Sequence, residues 1–172
     1  MNKKQFRDVA GPRAKFEVGT DASGKCDPGA GQPAVEKLPM LGPALWLYAR
    51  DANRKFNFFG DMDWLLLPPV MLDQCRLYTR KRVPFAFFTW ARVSDAVDQR
   101  LRSGIARLAP QEWNTGPHVW LTDAVAPFGG GDEMTAELLK REFPGCRVKA
   151  LYPDPDGRGA LAVHELSSVP GA

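Results

Sequence analysis

The chain reads TDAVAPFGGGDEM from Thr122 to Met134. Asp123 is a carboxylate inside an apolar run, and an acid placed there costs free energy unless it is paired or put to use. The run ends in Pro, Phe and three glycines before an acidic helix start. A strand, a Gly-rich loop and a helix form a common place to hold phosphate, because the N–H groups at the helix start point at the anion. Phe128, Gly129, Gly130 and Gly131 allow close approach to the backbone. The loop nevertheless lacks the Lys-Ser/Thr pair of a nucleotide-binding P-loop. Asp132 and Glu133 follow at once. Their charge disfavours a pyrophosphate and permits a slender acyl chain or a single phosphate.

The remaining reactive side chains are few. His118 lies five residues before Asp123. Strand residues an odd number apart face opposite sides, so the two are not expected to meet. No Ser-His-Asp or Cys-His arrangement can be read from spacing. Cys26, Cys75 and Cys146 are far apart and, with His118 and His164, make no metal-binding pattern. No metal is expected, and the cysteines read as free thiols of a reducing cytoplasm.

The elements that must position these residues follow from periodicity. LGPALWLYARDANRKF puts Leu41, Leu45, Tyr48 and Ala52 at helical spacing, with Arg50, Asn53 and Arg54 on another face. FNFFGDMDWLLLPPVMLD reads as a second helix that breaks near Pro68 and Pro69. CRLYTRKRVPFAFFTWARV reads as a β-hairpin with a basic tip at Arg80–Arg82. SDAVDQRLRSGIARL reads as a helix with Ser94 at its N-cap and Val97, Leu101, Ile105 and Leu108 on one stripe. HVWLTDAVAPF is a central strand. DEMTAELLKREFPG is a helix with acids first and bases last, matching the helix dipole, and Met134, Leu138, Leu139 and Phe143 inside. A strand, a Pro/Asp/Gly turn and a closing strand complete the chain. This order predicts an α/β (α+β) domain with a mixed sheet over residues 41–172. Residues 1–40, rich in Gly, Pro and charge, read as a disordered N-terminal extension.

Composition removes several function classes. The chain has 172 residues and a formal net charge of +3. The first forty residues carry +2 of this, and the rest is nearly balanced. A nucleic-acid binder is therefore not suggested. No apolar stretch is long enough to span a bilayer. The basic start has no apolar segment behind it, so no secretory signal is expected.

The segments LGPALWLYAR, VPFAFFTWARVS, QEWNTG, VWLTDAVAPFG, LLKREFPG and RVKALYPDP together resemble the toxin-activating lysine acyltransferases of RTX toxin operons. The resemblance runs from about Leu41 to Leu166. It implies a fold similar to the GCN5-related N-acetyltransferases. It also implies transfer of a fatty acyl group from the acyl-phosphopantetheine of acyl carrier protein to internal lysines of a protoxin. The family usually works in the cytoplasm and is often dimeric. It usually assigns catalysis to a histidine and an aspartate. The aspartate falls on Asp123. The histidine position falls on Arg54, or on Asn53 with one shift, and the segment holds no histidine. Arginine stays protonated and asparagine does not exchange a proton, so neither replaces an imidazole base.

The resemblance leads to a site in which Asp123 assists deprotonation of the lysine amine. Arg54 polarises the thioester carbonyl, and Arg50 stands beside it. Thr89, Trp90 and Phe128–Gly131 line the acyl channel. The alternatives are that another group, with His118 the only imidazole nearby in the sequence, stands in for the missing base, or that this is a family member without chemistry that binds acyl carrier protein or a toxin-like partner.

Overall fold

The computed structural model describes Arg7–Asp8 and residues 35–153 and 161–166. Most of the 1–40 extension, and the turn between the last two strands, lie outside the described residues. The sheet has six strands in sequence order: β1 (Arg7–Asp8), β2 (Cys75–Arg80), β3 (Val83–Val93), β4 (His118–Val125), β5 (Val148–Pro153) and β6 (Leu161–Leu166). All neighbours are antiparallel except β4 and β5. The helices are α1 (Leu41–Tyr48), α2 (Met62–Leu65), α3 (Leu67–Met71), α4 (Asp95–Arg102) and α5 (Gly131–Glu142). The expected α+β domain of the GCN5-related N-acetyltransferase type, a mixed sheet flanked by helices, is present.

Alternation along β3 divides the core. Ala86, Phe88 and Trp90 pack under α5 with Met134, Leu138, Leu139 and Phe143. Phe87 faces the other way, against Ala44, Leu47 and Tyr48 of α1. Further along that second face, Ala91 and Val93 meet α4 through Val97 and Leu101.

Two helices are shorter than their periodicity predicts. α1 ends at Tyr48, and Ala52 lies in a turn outside it. Asp51 causes the change of direction. Its Oδ1 accepts the backbone N–H groups of Asn53 (2.9 Å) and Arg54 (3.1 Å), a local bond that competes with helix continuation. α4 stops at Arg102, Gly104 follows at φ 89°, and Ile105 is exposed. Ser94 holds the N-cap position without a side-chain cap bond. The second predicted helix breaks at Leu66, so that Pro68 sits in the first turn of α3, where its missing N–H costs nothing.

A bulge in β4 decides where Asp123 points. Thr89 pairs with Asp123, but Trp90 pairs with Leu121, which leaves Thr122 unmatched. A bulge residue changes the parity of all that follow it. Leu121 and Ala124 thus both pack on the α5 face, while Val125 packs with α1. Asp123 turns to the α1 face. The pairing of β4 with β5 covers only Val119–Leu121 and Val148–Ala150, so the two strands are unpaired beyond Leu121.

On the α4 face, Asp98 accepts from Lys149 Nζ (2.5 Å), Trp120 Nε1 (2.8 Å) and Arg102 Nε (2.8 Å). Burial acts to raise the carboxyl, but these three donors outweigh it and hold it at about 2, below the ordinary 3.8. A folded value below the unfolded one stabilises the protein fully above pH 4, and that contribution fades as pH falls toward 2. Acid titration of unfolding free energy should show about 2 kcal/mol of this origin. The loss should be absent in Asp98→Asn.

Candidate active site

Three residues from three elements meet on the α1 face. Asp123 comes from the bulged part of β4, Tyr48 from the last turn of α1, and Arg54 from the turn ordered by Asp51. The Tyr48 hydroxyl donates to Asp123 Oδ2 at 2.7 Å. Arg54 donates Nη2–H to Oδ1 at 2.8 Å, and its Nε–H lies 3.0 Å from Oδ1 and 3.2 Å from Oδ2. The Ala124 N–H donates to Oδ1 at 3.0 Å. The Asp123 side chain is 2% exposed and that of Arg54 is 40% exposed.

A carboxylate offers about four accepting positions. Tyr48, Arg54 and Ala124 fill those of Asp123, so an amine has no position to occupy without displacing a donor. Asp123 here is an anchor that fixes a guanidinium in a two-pronged geometry. Burial acts to lower the Arg54 guanidinium, but the Asp123 charge and its hydrogen bonds overcome that and raise it. Burial, followed by the Asp123 charge, pushes the Tyr48 phenol well above its usual range. Both groups therefore keep their protons at neutral pH.

Arg54 and Tyr48 stand in the wall of a cleft of about 220 Å³. Its other walls are largely apolar, formed by Leu45 of α1, Ala49 just after it, and Phe58, Phe59, Met62 and Leu65. Leu45, expected on the inner stripe of α1, instead lines this cleft and is 37% exposed.

The other residues singled out in the sequence are distributed differently. Asn53 is exposed and takes part through its backbone N–H in the Asp51 turn. Arg50 lies over the Trp46 ring, 3.7 Å from the centroid, and donates to the Trp46 carbonyl. It has no hydrogen bond to Asp123 among the described residues. Thr89 is fully buried, with its hydroxyl 2.8 Å from that of Thr122. Trp90 is buried edge-on against Phe143. Phe128 is half-exposed between Trp46 and Phe85. Gly129 and Gly130 take φ values of 81° and 78°, which favour glycine, and Gly130 is the N-cap of α5.

The bulge puts His118 and Asp123 on the same side of the sheet, against the parity expectation. His118 still does not reach the site, because its Nε2 lies 2.6 Å from Asp95 Oδ1. Cys75 is no nucleophile at neutral pH, since burial and then the Asp73 charge push its thiol to about 12. The residue that sequence reasoning missed as functional is Tyr48, which periodicity assigns to the core. The available signal is chemical: a buried phenol needs a hydrogen-bond partner. Among the described residues no cluster of His, Cys, Asp and Glu could hold a metal ion. No described helix is long and apolar enough to cross a membrane.

Comparison with known proteins places this geometry in context. Residues 33–167 match the RTX toxin acyltransferase family. The chain is 33% identical over 129 residues to an uncharacterized protein, sll0720, of Synechocystis, covering 73% of this chain and 87% of that one. It is 27% identical over 130 residues to the RTX-III toxin-activating lysine-acyltransferase ApxIIC of Actinobacillus pleuropneumoniae (76% and 75% covered). It is 27% identical over 121 residues to the protein-lysine myristoyltransferase HlyC of Escherichia coli (69% of each chain).

Proposed function

This chain belongs to the RTX toxin acyltransferase family, and from that premise we propose that it is a protein-lysine fatty acyltransferase. The donor is acyl carrier protein bearing an acyl-phosphopantetheine, the acceptor is an internal lysine of an RTX-type protoxin, and the reaction takes place in the cytoplasm. The observation that carries the reading is the Arg54 guanidinium, fixed by buried Asp123 in the wall of an apolar cleft.

In this reaction the lysine nitrogen attacks the thioester carbonyl carbon and the C–S bond breaks. The amine proton is lost to solvent, and the thiolate takes one up. Negative charge develops on the carbonyl oxygen, and Arg54 stabilises it. A preorganised cation is effective there because it needs no reorientation as the charge appears. Asp123 and Tyr48 keep the guanidinium aimed. The Phe128–Gly131 loop, with no base of its own and acids just after it, receives the singly charged phosphopantetheine arm.

This chemistry has no imidazole at its centre, so the reactive amine must arrive already deprotonated by solvent. Appearance of the free phosphopantetheine thiol on acyl carrier protein should require both this protein and the toxin. Its rate should climb steadily from about pH 6 to about pH 9, without levelling near the usual imidazole range of about 6.5. A plateau above about pH 7 would show a tuned base and contradict the assignment. Stable toxin binding with no thiol release at any pH would instead support the binding-module reading.

A further inference from the structure

The segment KFNFFGD places three large aromatic side chains on the surface. Phe56, Phe58 and Phe59 are 75%, 80% and 82% exposed. Single exposed apolar residues are common, but three within four positions mark a surface that meets an apolar ligand or partner. Two of them, Phe58 and Phe59, line the cleft that also contains Arg54. By contrast, Thr89 and Trp90, the expected acyl-channel residues, are both buried, Trp90 in the packing under α5.

The charges of the cleft indicate what would occupy it. Arg54 and Lys55 supply two cations and Asp61 one carboxylate. The Asp61 carboxylate is engaged locally: Oδ2 accepts the Phe58 N–H and Oδ1 accepts Trp64 Nε1–H. Arg54 is held by Nε and Nη2, and its Nη1 makes no hydrogen bond among the described residues. An apolar trough with a fixed cation in its wall complements a molecule with one aliphatic chain and one oxygen-bearing end.

We propose that the cleft between α1 and residues 54–66 seats the acyl chain itself, with its carbonyl oxygen on Arg54, and that the cleft size sets the preferred chain length. The assignment rests on the acyltransferase reading and adds to it the location of the chain. The cleft is finite, at about 220 Å³, so a chain that outgrows it gains no further burial.

Calorimetric titration with free fatty acids of four to sixteen carbons tests this without requiring turnover. Affinity should rise about fourfold per methylene, the factor expected for burying a CH₂, and level off once the chain outgrows the cleft. Phe58→Ser/Phe59→Ser should weaken binding of the acid at that levelling point at least tenfold. These side chains are exposed, so the fold should survive, as circular dichroism will show. Met62→Trp, which fills the cleft, should shift the levelling point to shorter chains. Fatty-acid binding untouched by these variants, or absent from the wild type, overturns the proposal. So does a wild-type dimer by light scattering that the double serine variant converts to monomer with no change in fatty-acid affinity, since a second copy then covers the aromatic face. If acyl transfer occurs and ignores these variants, the cleft assignment fails while the enzyme reading stands. If fatty acids bind as described but no transfer occurs, the reverse holds.

Discussion

Asp123→Asn should reduce acyl transfer by about 10²- to 10³-fold while the protein stays folded, the loss typical of removing one preorganised stabiliser of a developing oxyanion. The amide keeps the shape of the carboxylate but not its charge. One of its two ends becomes a donor, facing either Tyr48 or Arg54, which already donate there. Arg54 then loses its anchor, and its guanidinium samples positions away from the carbonyl. Asp123→Ala should be equally inactive and also less stable, because the buried Tyr48 hydroxyl loses its acceptor at a cost of about 1–3 kcal/mol. Arg54→Ala should match Asp123→Asn in activity. Arg54→Lys should recover little, because a lysine cannot reproduce the two-pronged hold. Single-turnover transfer rates, paired with melting curves for each variant, separate the catalytic effect from the structural one. Wild-type rates in Asp123→Asn would remove Asp123 from the mechanism.

The largest effect on stability is expected on the other end of that sheet face. Asp98→Ala should cost about 3–5 kcal/mol, since it leaves the Lys149 ammonium buried without its counter-charge. The Lys149 side chain is 8% exposed and that of Asp98 9%. For a domain of this size each kcal/mol shifts the melting point by about 2–4 °C, so a drop of roughly 10 °C is expected. Replacing both partners, Asp98→Leu with Lys149→Met, should recover most of the loss. A well-packed apolar pair avoids the desolvation cost that the charges carry. A double variant as unstable as Asp98→Ala would show that the Trp120 and Arg102 bonds to Asp98, and not the buried pair, dominate the effect.

Much of the architecture was legible because its signals are local. The hairpin of β2 and β3 follows from two β-rich runs around a basic turn, in which Lys81 and Arg82 take φ values of 52° and 68°. The inner face of α5 was readable in full: Met134, Leu138, Leu139 and Phe143 are all buried. The helix ends were not, because the features that stop them act through the backbone. Asp51 draws two N–H groups into a turn, and Gly104 takes a left-handed conformation. The β4 bulge was illegible for a different reason. It exists only as an offset between two strands, and neither strand's own pattern reveals it.

The site shows the same division. Asp123 stood out as an acid in an apolar strand, and the family resemblance linked it to the position of Arg54. Residue types alone do not bring Tyr48 to them, because that contact joins residues 75 apart in the chain. Thr89 and Trp90 were expected to line a channel, yet a central strand covered on both faces buries them. The open apolar surface lies instead on the aromatic segment after Arg54, which periodicity had assigned to a helix.

The most direct measurement is peptide mass spectrometry of an RTX-type protoxin incubated with this protein and fatty-acyl-loaded acyl carrier protein. Internal lysines carrying the acyl mass with the wild type, and unmodified with Arg54→Ala, are the predicted result. Unmodified lysines with the wild type, in a toxin that still co-purifies with the protein, would contradict it.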